Sequence, residues 1–416
     1  MGPMHDDTRA SAHRTAAAPW ERLARGAGVL DEQGQVSTTI FETMSALAAR
    51  HRAINLGQGF PDTEGPKILA ASLARAVGEG CNQYAPMAGL PRLQEAIADH
   101  EEQAGRRRPD PAAEVTVTAG ATEGLAGTMM AFLSPGDEVV LFEPFYDLYA
   151  AVAGLAGASV RTVPMLPPHF RPDPQALQEA FGPRTAMVIL NDPHNPSGAV
   201  FEPETLEQIA RLAVQQDALI LTDSVYEHLW FGRSPGDIAA CPGASERTIR
   251  ISAASKTFHV TGWRVGWAIA PPELTKGLRI TKGYFSHSAA APLQHAIADT
   301  LEWAGSGGYY EDWQQRYAAQ KDLLVTGLRE TAALEPVDPE GTFFALARLT
   351  QAPTWASDGR TLAEALPERA GVGLLPLETF TTAEHAHLYR DWVRLTFCKK
   401  PETLAEAIRR LHQAGL

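Results

Sequence analysis

A lysine that directly follows an apolar, strand-like run is the residue of this sequence that points most clearly to chemistry. Lys256 lies in the segment SAASKTFHVTGWRVGW, just after the run TIRIS, and Arg264 follows eight residues later. A lysine buried at the end of a strand is costly unless its amine is paired or used covalently. A desolvated amine with a positioned partner can form a Schiff base, whereas a lone lysine of this kind is most often a solvated surface residue.

Further polar residues follow other apolar runs. Asp223 comes after ALILT with Tyr226 three residues later, and Asn195 follows TAMVIL in the segment LNDPHNPSG. A carboxylate at such a position can keep a pyridinium nitrogen protonated, although an aspartate there can equally cap a helix and an Asn-Pro turn needs no function. In TVTAGATEGL, the backbone N–H groups of Ala121 and Thr122 and the Thr122 hydroxyl could hold a phosphate at a helix N-terminus. As a phosphate motif alone, this segment has low specificity.

Alternating strand-like and helix-like segments must position these residues. The runs EVTVT, EVVLF, TAMVIL, ALILT and TIRIS are short and apolar, and helix-like stretches such as ETLEQIARLAVQQ separate some of them. This alternation predicts an α/β fold with a mostly parallel sheet between helices. Ligands bind such sheets at the carboxyl ends of the strands, which is where the polar residues stand.

Taken together and in this order, the motifs resemble those of the class I/II pyridoxal-phosphate-dependent aminotransferases of fold type I. The resemblance extends from about Thr38 to the C-terminus and is closest to the kynurenine/glutamine/methionine aminotransferase branch. It is carried by INLGQGFPD, NQYAPMAGLPRLQEAI, TVTAGATE, LNDPHNPSG, SKTFHVTGWRVGW and VRLTFCKK. It implies pyridoxal 5'-phosphate as the cofactor and a homodimer with shared active sites.

The resemblance also implies roles around the cofactor ring. Lys256 would carry the cofactor as a Schiff base and then move the proton between the substrate Cα and the cofactor. Asp223 would pair with the ring nitrogen. Asn195 and Tyr226 would form hydrogen bonds with the phenolate oxygen, and Asn195 would also contact the substrate.

Five residues are implied to hold the rest of the cofactor. Arg264 and Thr122 would bind the phosphate, and Ala121 would add a backbone N–H group. Tyr146, in the segment FEPFYDLY, would stack on the pyridine ring. Tyr84, in NQYAP, would reach the phosphate of the neighbouring subunit. Without the resemblance, both tyrosines would be interpreted as core or rim aromatic residues.

Arg394 and Gly59 are implied to bind the substrate. Arg394 would hold the substrate carboxylate through two hydrogen bonds, and Gly59 would leave room for that carboxylate and offer a backbone contact. One position departs from the family, which usually has serine or threonine where this chain has Ala253. The missing phosphate hydroxyl would come from Ser252 or Ser255, or from neither.

A second departure concerns the substrate side chain. In the segment KGYFSHSAAAP, His287 occupies the position where relatives place an aromatic residue of the partner subunit over the substrate. His287 and the three alanines at 289–291 should make the site roomier and more polar. We therefore expect a preference for longer polar or charged side chains over kynurenine or phenylalanine. The alternative is that these residues face another helix and His287 is an interface histidine.

The chain is expected to divide into four parts. Residues 1–35 have no clear periodicity and predict a flexible arm. Residues 36–60 would form the N-terminal part of the small domain, residues 61–305 the large pyridoxal-phosphate-binding domain, and residues 306–416 the C-terminal small domain, which mixes strands and helices.

Composition narrows the possible partners and location. The 416 residues carry a formal net charge of −13, which argues against nucleic acid or an anionic membrane surface as a partner. No stretch reaches the roughly 18 apolar residues of a membrane-spanning helix. Cys81, Cys241 and Cys398 are far apart and form no ligand motif, so we expect reduced thiols, no metal and a cytoplasmic location.

Three functions remain open from the sequence. The first is transfer of an amino group between an L-amino acid and a 2-oxo acid. The second keeps the cofactor and changes the reaction to β/γ-elimination, replacement, cyclisation or C–C bond formation. The third is a non-catalytic regulator built on the same fold, which the absence of a helix-turn-helix pattern or a basic patch before the fold disfavours.

Overall fold

The computed structural model of the protein describes residues 17–31 and 33–416. Its helices, numbered in chain order, are α1 (Pro19–Gly26), α2 (Ile40–Arg50), α3 (Lys67–Gly78), α4 (Pro91–Gln103), α5 (Pro111–Glu114), α6 (Ala121–Phe132), α7 (Leu148–Ala156), α8 (Pro174–Ala180), α9 (Pro203–Gln215), α10 (Ala254–Thr257), α11 (Pro272–Gly283), α12 (Ala291–Ser306), α13 (Tyr309–Arg329), α14 (Gly359–Arg369) and α15 (Pro401–Gln413). Its strands are β1 (Ile54–Asn55), β2 (Val115–Thr118), β3 (Glu138–Glu143), β4 (Ser159–Leu166), β5 (Arg171–Pro172), β6 (Thr185–Asn191), β7 (Leu219–Asp223), β8 (Thr248–Ala253), β9 (Gly266–Ile269), β10 (Leu334–Pro336), β11 (Phe344–Leu349), β12 (Val372–Gly373), β13 (Leu375–Pro376) and β14 (Trp392–Thr396).

A large central sheet confirms the predicted α/β fold. Its eight strands are arranged in the order β2-β9-β8-β7-β6-β3-β4-β5. The pairs from β4 through β3, β6 and β7 to β8 are parallel, whereas β9 is antiparallel to both β8 and β2, and β5 is antiparallel to β4. The sheet is therefore mostly parallel, and the carboxyl ends of its central strands meet at one edge.

Both faces of this sheet are buried. Along β3, Val140 and Phe142 belong to one hydrophobic cluster, and Val139 and Leu141 belong to another. Successive residues of a strand point to opposite faces, so the two clusters are the cores above and below the sheet. Among the helices of residues 17–31 and 33–416, none is long and apolar enough to cross a membrane.

The C-terminal part of the chain builds a second, smaller sheet. Strands β10, β11, β14 and β13 pair in that order and are all antiparallel. Strand β1, near the start of the chain, pairs in parallel with β12 through Ile54–Val372 and Asn55–Gly373. The short break between α12 and α13 lies beside the expected domain boundary at 305/306. The division into four parts stays a prediction.

Part of the expected N-terminal arm is a helix with tertiary contacts. Helix α1 packs along α7, and the Arg22 guanidinium donates hydrogen bonds to the carbonyl groups of Gly154 and Leu155, both at 3.2 Å. A Cβ on Gly26 would lie 2.3 Å from the Ala150 carbonyl oxygen, so glycine allows the two backbones to touch. Sequence periodicity could not show this helix, because eight residues give too short a pattern. Residues 1–16 and residue 32 of the expected arm lie outside the described residues.

Candidate active site

A cavity of about 340 Å³ lies at the carboxyl edge of the central sheet. Eleven of the thirteen residues that the sequence singles out as site residues line it. These are Gly59, Ala121, Thr122, Tyr146, Asn195, Asp223, Tyr226, Ser255, Lys256, Arg264 and Arg394. Tyr84 and His287 do not line this cavity within one chain.

Lys256 reaches into the cavity from α10, which begins directly after β8. Its ammonium group donates a hydrogen bond to the Gly59 carbonyl oxygen at 3.3 Å and lies 5.9 Å from the centre of the Tyr226 ring. Burial, together with the nearby Arg394 guanidinium, lowers the pKa of Lys256 to about 8, while Cys398 and Asp223 oppose the change. The amine is therefore neutral, and able to attack a carbonyl, at a lower pH than an ordinary lysine.

Asp223 is the last residue of β7 and is almost completely buried. Its carboxylate accepts a hydrogen bond from the Tyr149 hydroxyl at 2.7 Å. Burial raises the pKa of Asp223, and the bonds from Tyr149 and the Val225 backbone oppose that rise. The Asn191 side chain donates to the Asp223 carbonyl at 2.8 Å, which fixes the strand end. A buried carboxylate held in this way can bind a cationic ring nitrogen in the cavity.

Arg394 comes from the middle of β14 and is 2% exposed. It donates hydrogen bonds to the Asn195 side-chain oxygen at 2.9 Å and to the Gly57 carbonyl at 2.8 Å, while its Nε is buried without a partner. The guanidinium lies 4.0 Å from the centre of the Phe344 ring and 4.7 Å from that of Phe380. Burial lowers the pKa of Arg394 to about 10. A buried cation with an unused donor is suited to an anionic group entering the cavity.

The loop between β2 and α6 forms a cradle that suits a phosphate. Helix α6 begins at Ala121 after Gly120, whose φ is +79°. Arg264 donates to the Thr122 hydroxyl at 3.2 Å, and a Cβ on Gly120 would lie 2.2 Å from an Arg264 nitrogen. Glycine is therefore required for the guanidinium to reach the helix N-terminus. The positively charged Arg264 side chain thus lies beside the free backbone N–H groups at the start of α6, an arrangement that is typical of phosphate sites.

The structure distinguishes the two serines that could replace the missing hydroxyl. Ser255 Oγ is buried without a hydrogen-bond partner, and Ser255 lines the cavity. Ser252 Oγ instead donates to Glu227 at 2.5 Å and does not line the cavity. Strand alternation explains the difference, because Ser252 and Ala253 lie on opposite faces of β8 and Ala253 takes the cavity side. Ser255 is therefore the serine placed to meet a phosphate.

Tyr146 and Gly59 close the cavity from two sides. Tyr146 packs its ring edge-on against Tyr149 with the centroids 5.7 Å apart, and burial raises its pKa to about 12. A Cβ on Gly59 would lie 2.5 Å from the Phe344 ring. Any side chain at position 59 would therefore displace that ring and fill the cavity.

Tyr84 and His287 lie together on the surface, outside the cavity. Their rings are 5.4 Å apart, Tyr84 is 88% exposed and His287 is also exposed. Tyr284, at 89% exposure, and Phe285, at 56%, lie on the same segment as His287. We call these four residues the outer aromatic patch. The Lys282 ammonium donates to the Met87 and His287 carbonyl groups, which ties the two segments of the patch together.

Three residues of the site were not predicted from the sequence. Tyr149 and Asn191 hold Asp223, and Phe344 stacks against Arg394. Tyr149 stands three residues after Tyr146, just inside α7, and this nearness along the chain could have indicated it. Asn191 directly follows the apolar run TAMVIL, a strand-end position that could have indicated it as well, whereas Phe344 carries no local signal because the direction it faces depends on the fold.

The cavity fits a pyridine aldehyde that carries a phosphate. Lys256 offers an amine, Asp223 a buried carboxylate, Tyr146 an aromatic ring, and the Arg264 cradle with the unpartnered Ser255 hydroxyl an anion site. With the fold, this set defines the class of fold type I pyridoxal-phosphate-dependent enzymes.

Comparison with known proteins gives the family. The chain belongs to the aminotransferase class I and II family, which matches residues 51–411. It is 41% identical over 90% of its length to a probable N-succinyldiaminopimelate aminotransferase of Mycobacterium tuberculosis, covering 96% of that relative. It is 39% identical over 91% of its length to the methionine aminotransferase of Escherichia coli K12, again covering 96% of that protein. The solved structure of a methionine aminotransferase from Escherichia coli superposes with a TM-score of 0.87, covers 92% of this chain and 98% of its own, and is 38% identical.

These findings settle the reaction class. The protein is a pyridoxal-phosphate-dependent aminotransferase that acts on amino acid and 2-oxo acid substrates. The predicted resemblance to the methionine and kynurenine aminotransferases is confirmed by curated relatives of both kinds. The alternative reactions of the same cofactor find no support among these relatives.

Proposed function

We propose that the cavity is the active site and that Lys256 both holds the cofactor and moves the proton between the substrate Cα and the cofactor. One observation carries this proposal. Among the described residues that line the cavity, Lys256 is the only lysine, and its amine is buried between Gly59, Asp223 and Arg394 with its pKa lowered to about 8. An acid–base group works best when its pKa lies near the working pH.

Three residues are proposed to control the cofactor ring. When bound, pyridoxal phosphate supplies an electron sink for the bond that breaks at the substrate Cα. The Asp223 carboxylate, fixed by Tyr149, keeps the ring nitrogen protonated and so maintains that sink. Asn195 and Tyr226 form hydrogen bonds with the phenolate oxygen. Both line the cavity, and burial raises the pKa of Tyr226, so its hydroxyl stays a donor.

The phosphate is proposed to lie in the cradle at the start of α6. Arg264 and the Thr122 hydroxyl bind its oxygens, and the Ala121 backbone N–H adds a donor at the helix N-terminus. Ser255 supplies the hydroxyl that Ala253 cannot, which would satisfy its unpartnered Oγ. Tyr146 stacks on the pyridine ring.

Arg394 is proposed to bind the substrate carboxylate. Its Nε has no partner in the buried cavity, and a carboxylate would satisfy that donor while pairing with the guanidinium charge. Asn195, already bonded to Arg394, would contact the same group. Gly59 leaves the space that the carboxylate needs, since a side chain there would meet Phe344.

We propose that the preferred amino donor has a long, uncharged and weakly polar side chain of the methionine type. Phe41, Phe60 and Phe344 line the cavity beside Arg394, and aromatic walls favour thioether and apolar groups. The expectation of a polar or charged donor rests on His287, which a second chain would add as one polar group beside these three aromatic residues. The relatives named for methionine and for N-succinyldiaminopimelate differ in the charge of the donor side chain.

Half-reaction kinetics test the donor. The cofactor-loaded enzyme is mixed with one amino acid and no 2-oxo acid, and conversion of the cofactor to its amine form is followed by absorbance. We expect methionine to react with a higher kcat/KM than glutamine or a long carboxylate-bearing amino acid. His287→Phe should shift the ranking towards phenylalanine, whereas the exposed control His387→Phe should not. A wild-type preference for the charged donor would instead support the His287-based expectation.

We further propose a homodimer in which each active site uses both chains. The support is the outer aromatic patch, whose large rings are exposed in a single chain although such clusters are usually covered. Tyr84 of one chain would reach the phosphate bound by the other, and His287 would lie over its substrate. Sedimentation at assay concentration should show a dimer, and an active monomer would contradict the proposal.

A cytoplasmic location is also proposed. All three cysteines are unpaired thiols, as is common in a reducing compartment. Cell fractionation should recover the activity with cytoplasmic markers, and recovery with an exported fraction would contradict this location.

A further inference from the structure

A compact group of metal-ligand side chains lies behind the active site, across the sheet from the cofactor cavity. It consists of His100 on α4 and of Glu227 and His228, which directly follow Tyr226. Ser252 faces this group and bonds Glu227, whereas the next residue, Ala253, faces the cofactor cavity. The group thus has no part in the functions assigned above.

The ligand atoms are spaced as around a single ion. The Nε2 atoms of His100 and His228 face each other at 3.2 Å, and His100 Nε2 lies 3.9 Å from Glu227 Oε1. Bonds of about 2.0–2.1 Å in a tetrahedral zinc site place neighbouring ligand atoms about 3.3–3.4 Å apart. The two nitrogen atoms already match this separation, the Glu227 oxygen lies about half an ångström beyond it from His100, and all three ligand atoms lie within 4.8 Å of one another.

Neighbouring side chains orient the three ligands. The Tyr310 hydroxyl lies 3.2 Å from His100 Nδ1, which leaves Nε2 directed at the other ligands. The His228 ring stacks on the Tyr310 ring with the centroids 4.0 Å apart. Arg106 donates to Glu227 Oε2 at 2.6 Å and the Ser252 hydroxyl donates to Oε1 at 2.5 Å, which fixes the carboxylate and leaves the second lone pair of Oε1 for an ion. Such supporting contacts are typical of metal sites, where they fix the ligand orientation.

The charged side chains around the three ligands carry a net negative charge that a cation would balance. Arg106 pairs with Glu101 and Glu227, and Arg250 pairs with Asp237. This described network therefore contains three carboxylates and two guanidinium groups, an excess of one negative charge in a largely buried region. Buried charge is costly unless it is neutralised, so a bound cation would lower the energy of the network.

The group is also accessible. His100, Glu227 and His228 line an open cavity of about 660 Å³, together with the polar side chains of Gln103 and Gln314. The cavity gives an ion a route to the ligands and supplies water as the fourth ligand.

We propose that His100, Glu227 and His228 form a binding site for a divalent transition-metal ion, with Zn²⁺ the ion that best fits two imidazoles, one carboxylate and a water. The bound ion joins α4 to the segment that follows β7. Because that segment directly follows Asp223 and carries Tyr226, the ion acts as a structural clamp behind the cofactor cavity. It takes no part in the amino transfer itself.

Metal titration of the chelator-treated, cofactor-loaded enzyme tests the site. We expect one Zn²⁺ per chain in a competition assay with a chromophoric indicator, a higher Tm with zinc, and visible d–d bands when Co²⁺ is used. His228→Gln should weaken binding by on the order of 10²-fold or more, since even supporting contacts of metal sites are worth 10–100-fold. The exposed control His387→Gln should bind as the wild type does.

A second variant covers the case in which His228→Gln misfolds. Tyr310→Phe removes only the hydroxyl beside His100 and should weaken zinc binding about tenfold with the fold intact. The proposal is overturned if the wild type binds no zinc at millimolar concentration, or if both variants bind it as tightly as the wild type. In that outcome the two imidazoles are simply hydrogen-bonded to each other.

Discussion

The cofactor cavity and the outer aromatic patch differ in how far one chain completes them. In the cavity, Asp223 is held by Tyr149, Arg394 by Asn195, and Arg264 by Thr122, all within the same chain. In the patch, the Tyr84 and Tyr284 rings are almost fully exposed, and the close ring contact within it joins Tyr84 to His287.

This difference separates the residues that one chain supplies to the cavity from the phosphate and substrate contacts that a second chain would add. A single chain positions Lys256, Asp223 and the Arg264 cradle, the residues proposed to carry the cofactor chemistry. The proposed contributions of the patch act only when a second chain docks. Variants in the cavity should therefore damage catalysis within their own chain, and variants in the patch should damage the site of the neighbour.

The largest effect is expected from Lys256→Ala. Loss of the amine removes both the covalent attachment and the proton transfer, so turnover should fall to nearly nothing and borohydride should no longer fix cofactor to the protein. Activity and reduced-cofactor incorporation are the measurements. Lys276→Ala, which changes an exposed lysine of α11, is the control. Borohydride incorporation that survives in Lys256→Ala would show that another lysine holds the cofactor.

Arg394→Ala should lower kcat/KM for amino acids by on the order of 10²-fold or more, because two charge-assisted hydrogen bonds are lost in a buried site. Reaction with the corresponding amines, which lack the carboxylate, should change far less. The matched control is Arg390→Ala, an exposed arginine four residues earlier that pairs with Asp358. Equal losses for amines and amino acids would argue for a purely structural role.

A mixed dimer tests the division between the two regions. We expect Tyr84→Ala to lower activity at limiting cofactor, since the phosphate loses a contact. When this variant is combined with Lys256→Ala, one site of the mixed dimer regains both residues, and activity should recover to about half that of the wild type. If Tyr84 served its own chain, both sites would stay defective and no recovery would follow.

The smallest predicted effect is a shift in a pH profile. Because burial lowers the pKa of Lys256 to about 8, its neutral fraction in the apoenzyme grows as the pH rises and levels off above about 8. Stopped-flow capture of added pyridoxal phosphate should follow this curve. Arg394→Met removes a neighbouring positive charge and should move the midpoint to higher pH. A rate that keeps rising to about pH 10 would indicate an ordinary, solvated lysine.

Much of the site could be predicted from the sequence because it lies where strands end. Lys256, Asp223 and Asn195 each follow an apolar run, and parallel strands bring such positions to one edge. The spacing between Lys256 and Arg264 also carried information, since the short connection between β8 and β9 places both side chains in the same cavity.

What escaped prediction depends on contacts between distant segments. His100 lies 128 residues before His228, so no ligand spacing along the sequence could indicate their meeting. The choice between Ser252 and Ser255 depends on which face of β8 meets the cavity. The antiparallel strand β9 was hidden as well, because an apolar run does not reveal its direction.

The contact between α1 and α7 has a practical consequence for protein engineering. Helix α7 carries Tyr149, the residue that holds Asp223, and Gly26 and Gly154 let the two helices touch backbone to backbone. A fusion partner joined directly before α1 would disturb this contact, and a protease that removes the residues before 27 would abolish it. Either change would reach Asp223 through α7 and Tyr149. Weaker cofactor retention after such processing would be traced to the N-terminal helix rather than to the active site.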